Sequence, residues 1–295
     1  MNYQFDPRRQ KRGIEWCDAT WNPVGGCQHE CRWQMPDGKQ AICYAEEIAN
    51  FLAVKAYPHG FASHYWNPGV LGMPARQKTP QLIFMDSMSD LFGHWVPDEQ
   101  IRQVLSAAAA APWHTFQALT KNAPRLLQYS DAMPANMWPG ISSPPDIFMG
   151  KALDANQQAR MLRRSLDVAR QLRKAGHVTW MSFEPLSWDV SEVVRDAGTP
   201  LVGAVIGAAT NGPRKFQPNP THVRRLLDVL DDAGTSVFFK GNLDWSPRRE
   251  DFPALDVPAL RRRRQMAETH GWPVTGSWRE APAALPAAPE QAAFF

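Results

Sequence analysis

The sequence predicts an α/β protein built as a partial or full (β/α) barrel, on three observations. Short apolar runs rich in β-branched and aromatic residues alternate with helical patterns. Most of these runs are unbroken rather than alternating, as expected of parallel strands buried on both faces. Nearly every run ends in polar residues or glycine. Strand–helix alternation implies right-handed βαβ units on a parallel sheet. An open doubly wound sheet collects its functional groups at one crevice, whereas a barrel takes them from the ends of many strands. Polar strand ends occur all along this chain, which favours the barrel.

A weak first strand is expected within 14–21. Stronger strands are expected at 82–86, 114–120, 136–142, 178–184, 201–207 and 235–240. Helices are expected at 44–56, at 98–110 behind Pro97, and at 121–129. Two more, 155–174 and 221–233, run up to Gly176 and Gly234, residues suited to helix stops. After Lys240 the sequence becomes rich in Pro, Arg and Trp, with one helix expected at 258–269. The last stretch, APAALPAAPEQAAFF, has the composition of a disordered tail. The expected organisation is a barrel over 1–242, an Arg/Trp-rich extension over 243–280 and a tail over 281–295.

The 295 residues can bury one large core, and 44% hydrophobic with 21% charged residues is ordinary for a globular chain. No run approaches the roughly 18 apolar residues of a membrane span. The start, MNYQFDPRRQKRG, carries no apolar segment behind its basic residues, so the expected setting is the cytoplasm, away from membranes. The net charge of +3 is small but unevenly placed. Arg8, Arg9, Lys11 and Arg12 crowd one end, and Arg261, Arg262, Arg263 and Arg264 run together near the other. Such clusters neutralise nucleic-acid phosphates or form solvated helix faces, and both readings stand.

All four cysteines, Cys17, Cys27, Cys31 and Cys43, fall in the first 43 residues. In a reducing compartment such a cluster reads as a metal site before it reads as disulfides. Cys27, Cys31 and Cys43 are spaced C-x3-C-x11-C, between the first strand and the first strong helix. Three thiolates can hold three irons of a [4Fe-4S] cluster and leave the fourth open. The open iron can bind S-adenosyl-L-methionine (SAM), and an electron passed to the sulfonium then yields a 5′-deoxyadenosyl radical. The alternative is zinc, with His29 or Cys17 as fourth ligand, although the C-x2-C knuckle of common zinc ribbons is missing. Cys17 lies outside the motif and reads as a buried strand cysteine.

Asp86, Ser87, Ser89 and Asp90 follow a strand closely enough to face the barrel mouth, where they could bond the SAM ribose or a substrate; helix capping is the alternative. Ser142 closes another strand. Glu184, before Pro185, can accept from ribose hydroxyls or the SAM amino group, or form a structural ion pair. Lys121 and Lys240 also close strands and can meet a carboxylate or a phosphate, or reach solvent. His114 and His177 begin strands at the opposite rim and read as structural.

The segments WCDATWNPVGGC, ICYAEE, FMDSMSDLF, HTFQALTKNAPRL, SFEPL and VFFKGN resemble, in that order, a phage-associated three-cysteine-motif family of uncharacterised radical-SAM-like proteins. The resemblance spans roughly 13–242. It implies a barrel of the radical SAM type with Cys27, Cys31 and Cys43 as cluster ligands, and Ile42 matches the bulky position before the third cysteine. Two departures stand out. Eleven residues, not two, separate Cys31 from Cys43, and the insert carries Pro36, Asp37 and Gly38, a turn signal that would let a hairpin return Cys43 to the cluster. The segment IGAATNG stands where the family has a sequence closer to GGESG, so Thr210 and Asn211 replace a carboxylate and a serine in a loop that would hold SAM.

The leading expectation is a radical SAM enzyme supplied by a one-electron donor such as a flavodoxin or ferredoxin. Its expected substrate is a nucleobase in DNA or RNA, for modification or repair, which requires presenting an otherwise stacked carbon. The other readings are a zinc-stabilised, non-catalytic nucleic-acid-binding protein and a barrel of this type that has lost SAM binding.

Overall fold

Apolar runs with two faces to bury form the strands of one eight-stranded sheet. The computed structural model describes residues 1–273 except 9, 36, 37, 212 and 213, and leaves aside the side chains of 211, 214 and 215. The strands are β1 (Asn2–Tyr3), β2 (Ala19–Trp21), β3 (Leu82–Met85), β4 (Thr115–Thr120), β5 (Met137–Ser142), β6 (Trp180–Phe183), β7 (Gly203–Ile206) and β8 (Ser236–Phe239). They lie in the sheet in chain order. β1 is an antiparallel edge on β2, and β2 to β8 are all parallel. The sheet curls into a half-barrel.

Besides a single helical turn at Met73–Arg76, the α-helices are α1 (Tyr44–Glu47), continued by a π-helical turn over Ile48–Leu52, α2 (Asp98–Ala109), α3 (Ala123–Gln128), α4 (Ala155–Lys174), α5 (Ser191–Asp196), α6 (Pro220–Asp232) and α7 (Pro258–His270). α4 opens on a capping box in which Asp154 and Gln157 satisfy each other's backbone N–H. α5 was not expected.

Side chains alternate between two cores, as the pleat requires. On the convex face Ile83, Met85, Phe116, Met181 and Phe183 pack with Leu105 of α2, Leu166 of α4 and Leu226 of α6. On the concave face Leu82, Phe84, Trp138, Trp180, Val205 and Phe238 gather around Trp16 and Cys17. Gly140 makes room for this inner core, since a Cβ there would stand 2.3 Å from the Trp180 indole.

The gap between β2 and β8 is closed by other means than strand pairing. Residues 249–251 run along the free edge of β8, with Phe239 N–H donating to the Arg249 carbonyl at 2.7 Å and Asp251 N–H to that of Val237 at 3.1 Å. Phe252, Leu255, Val257, Leu260 and Ala267 then fill the concave core. α7 carries Arg263, 1% exposed, to Asp18 at 2.8 Å, and Asp18 also accepts from Leu82 N–H at 2.9 Å. Arg12 forms a two-pronged pair with Glu250, one prong at 2.7 Å.

This seam corrects one expectation. The run Arg261, Arg262, Arg263 and Arg264 is no free phosphate-binding face. The helix turns Arg263 inward, Arg262 reaches Asp18 at 3.3 Å, Arg261 pairs with Asp256, and Arg264 meets the Leu255 carbonyl at 3.5 Å. The expected tail 281–295, residues 274–280 of the expected extension, and Arg9 lie outside the described residues. No helix among those described is long and apolar enough to cross a membrane.

Candidate functional site

Between β2 and β3 the chain makes an excursion over residues 22–81 that carries the cysteines to the C-terminal end of the sheet. Val24–Gly25 pairs with Tyr65–Trp66, and Gly26 follows with φ +80 so close to its neighbours that a Cβ would meet the Ser63 carbonyl oxygen at 1.8 Å. Only glycine fits there. Gly26 N–H donates to the Met88 carbonyl at 3.0 Å and Cys27 N–H to that of Phe61 at 2.8 Å, which fixes the first cysteine.

The insert between Cys31 and Cys43 is a hairpin, Arg32–Gln34 antiparallel to Gln40–Ile42. Its turn residues 36 and 37 lie outside the described residues. Arg32 sits opposite Ile42, so the flanking Cys31 and Cys43 emerge side by side. A two-pronged Arg32–Glu46 pair, 2.7 and 2.9 Å, ties the hairpin to α1.

The three thiols are close enough to influence one another. Burial pushes the Cys27 thiol well up, helped by Asp90, Cys31 and Cys43 and opposed by the nearby His29 backbone N–H. Burial raises Cys31 to about 12, with Lys121 opposing and Cys43 adding. Buried thiols of this kind stay protonated until a metal displaces the proton. Burial disfavours the Lys121 ammonium, but Cys31, Cys43, Cys27 and Asp90 together hold its pKa above the ordinary value. Cys17 is elsewhere, in the concave core, with its thiol 3.5 Å from the Ile14 carbonyl.

The residues after β3 lace this excursion to the sheet. Asp86, at φ +52, accepts from Val24 N–H at 2.8 Å through one oxygen, and its other oxygen is buried without a partner. Burial pushes its carboxyl well above the usual range. Ser87 donates to Asn22 at 3.1 Å and accepts at its carbonyl from the Tyr44 hydroxyl at 2.6 Å. Ser89 donates to the Gly26 carbonyl at 2.6 Å. Asp90 accepts from the Thr120 hydroxyl and Lys121 N–H at 2.9 Å and from Phe92 N–H at 3.0 Å, and lies 2.7 Å from His29 Nε2. Burial opposes the Asp90 charge, but these partners, His29 first, hold its carboxyl below the usual range.

Beside Cys43 opens a cavity of about 250 Å³. Trp16, Trp33, Tyr44 and Phe84 give it aromatic walls, and Cys43 forms part of one side. Of the strand-end residues singled out in the sequence, Ser142, Glu184, Thr210, Lys121 and Lys240 line it. Asp86, Ser87, Ser89 and Asp90 do not; they act on the cysteine loop instead. The side chain of Asn211 lies outside those described. Lys240 and Glu184 form an ion pair. Burial draws the Lys240 ammonium down to about 8, with Glu15 and Cys43 resisting.

Sequence reasoning missed Tyr44, Trp33 and Ser182 in the walls. Trp33 could have been found, because a hairpin read from its turn places the middle residue of each strand on one face.

Among the described residues no three His, Cys, Asp or Glu side chains stand as a group that could hold a single metal ion. The donor set nevertheless fits a cysteine-ligated cluster, in which each thiolate takes a different iron. Three soft donors influence one another, and Lys121 stands near enough to offset the negative charge they would carry as thiolates.

A family described as a protein of unknown function, DUF5131, matches residues 11–282. The chain belongs to that family. No curated protein matches the sequence. Among solved structures, a cysteine-to-serine variant of spore photoproduct lyase is similar at 11% identity and a TM-score of 0.48, covering 81% of this chain and 80% of that one. Spore photoproduct lyase with bound AdoMet and dinucleoside spore photoproduct is similar at 9% identity and a TM-score of 0.42, covering 78% of this chain and 64% of that one. A dihydrodipicolinate synthase family protein from Coccidioides immitis follows at 14% identity and 0.35, covering 74% of this chain and 60% of that one. The chain thus spans less than two thirds of the length of the last two.

Proposed function

We propose that this chain is a radical SAM-type enzyme that holds a [4Fe-4S] cluster through Cys27, Cys31 and Cys43 and acts on a nucleobase of DNA or RNA. The observation that carries the reading is the position of Cys43, whose thiol influences those of Cys27 and Cys31, in the wall of an aromatic-lined cavity. When bound, the cluster supplies the one-electron reduction that splits SAM. The chain's own residues do the rest. Lys121 balances charge at the sulfurs, and the Glu184–Lys240 pair offers an acceptor and a donor. Ser142 and Thr210 add hydroxyls, with Asn211 assigned to the same loop. The rings of Trp16, Trp33 and Phe84 suit the faces of a flat base. Asp86, Ser87, Ser89 and Asp90 support SAM indirectly, by holding the cysteine loop. The ordered motif resemblance supports the phage association, and with it a cytoplasmic setting and a flavodoxin- or ferredoxin-like electron donor.

Anaerobic reconstitution with iron and sulfide, followed by reduction in the presence of SAM, is expected to release 5′-deoxyadenosine. Alanine at Cys27, Cys31 or Cys43 is expected to abolish the visible charge-transfer absorption, while Cys17→Ala keeps it. A brown protein that never yields 5′-deoxyadenosine would remove the enzyme.

A zinc-stabilised, non-catalytic nucleic-acid-binding protein has one observation in its favour. His29 Nδ1 is buried without a partner while Nε2 meets Asp90, which is how a metal-binding imidazole is commonly oriented. A colourless protein containing zinc, with no iron uptake on reconstitution, would select that reading.

A further inference from the structure

Two basic clusters stand in the sequence, and the seam consumes one of them. The other is a β-hairpin, Phe5–Asp6 antiparallel to Lys11–Arg12. Its base is firmly rooted. Gly13 N–H donates to the Gln4 carbonyl at 2.7 Å, Ile14 N–H to the Gln4 side chain at 2.8 Å, and Gln4 N–H to the Asp18 carbonyl at 2.8 Å. Phe5 packs on His270 and Trp272 at 4.7 and 5.1 Å, and the Arg12 guanidinium covers the Trp272 ring at 4.7 Å. Arg12 is therefore structural, held between Glu250 and an indole.

Beyond that base two cations reach solvent. Arg8 and Lys11 are exposed, and among the described residues neither side chain forms an ion pair, although the Asp6 carboxylate accepts from Arg8 N–H at 3.0 Å and Asp6 stands opposite Lys11 in the hairpin. The hairpin also stands where it matters, because Gly13, Ile14 and Trp16, directly after it, line the cavity. Lys11 is two residues from Gly13, at most about 7 Å of extended chain.

We propose that this hairpin is a phosphate clamp for a nucleic-acid strand, with Arg8 and Lys11 gripping the backbone beside a nucleotide whose base enters the cavity. The proposal rests on the nucleobase reading above. Its chemistry is that of positioning contacts: fixed cations meet phosphates without reading sequence, and base selection is left to the cavity. A rooted hairpin suits the task, since its cations are placed before the strand arrives and little order is lost on binding.

The test uses the full-length protein and labelled oligonucleotides of about 20 nucleotides, single-stranded and duplex, titrated between about 50 and 200 mM KCl. Arg8→Gln/Lys11→Gln is expected to weaken binding roughly tenfold at the lowest salt and to flatten the log–log salt slope by about one to two. Arg261→Gln, at an exposed residue paired with Asp256, is the control and is expected to keep the wild-type slope. An unchanged thermal midpoint in the double variant shows that the loss is one of surface charge. Equal binding by wild type and double variant overturns the clamp, as does a wild type that binds neither oligonucleotide. Hairpin-dependent binding to phosphatidylglycerol vesicles without oligonucleotide binding overturns it too. SAM cleavage is measured separately: if it fails while hairpin-dependent binding persists, the clamp stands and the enzyme reading falls.

Discussion

At the end of β3, Asp86, Ser87, Ser89 and Asp90 all turn their polar atoms toward the excursion that carries the cysteines. At the ends of β6 and β8, Glu184 and Lys240 turn toward the cavity and meet each other there. The residue types are similar and all sit at the same end of one sheet. The difference lies in what covers each strand end. A long excursion folds back over β3 and needs fastening, whereas β6 and β8 open onto space. Polar groups under a cover become struts, and polar groups beside a cavity stay available to ligands.

The largest effect that could break this contrast is expected at Asp90. Replacing it with alanine strands His29 and three further donors in a buried place, which should cost about 3–5 kcal/mol. A drop of about 5–15 °C in the unfolding midpoint is expected, together with loss of iron uptake on reconstitution. Were Asp90→Ala as stable and as iron-competent as wild type, the strut role would be wrong.

Lys240→Met should behave in the opposite way. The side chains of Lys240 and Glu184 are 24% and 16% exposed and burial already disfavours the Lys240 ammonium, so an uncharged side chain of similar length there should cost less stability than Asp90→Ala. The expected change is in equilibrium binding of SAM or of a nucleoside to the reconstituted protein, weakened at least several-fold. A large loss of stability with ligand binding intact would place Lys240 among the struts.

The smallest and most diagnostic effect is expected at Asp86. Its folded carboxyl titrates well above the usual range, because burial disfavours the charge. Between the unfolded pKa, near 3.9, and the folded one, the native state binds more protons than the unfolded chain. Stability therefore falls as pH rises through that window. Asp86→Asn removes the titration, so urea unfolding at acid and neutral pH should show the variant gaining on wild type as pH increases. A constant difference at all pH values would show that Asp86 is not held protonated.

The parallel strands were legible because burial on both faces writes unbroken apolar runs, and α4 because twenty residues show a clear period. The hairpin between Cys31 and Cys43 was legible from its turn chemistry. The allocation of polar residues was not. Whether Asp86 faces a ligand or Val24 depends on how the 22–81 excursion folds over β3, and no local pattern records that. The arginine run failed for the same reason, since the partner that draws Arg263 inward, Asp18, lies 245 residues away.

The seam has a consequence for assembly. It joins residues 12–18 to residues 250–263, so the concave core is sealed by contacts between stretches far apart along the chain. During synthesis the sheet can grow strand by strand, since neighbours in sequence are neighbours in space, but Trp16, Trp138 and Trp180 stay wet until α7 docks. Such long-range closure is slow relative to local pairing. The half-barrel is thus sealed only after its sheet is complete, and a chain halted after β8 would present three indoles to whatever binds exposed apolar surface in the cell.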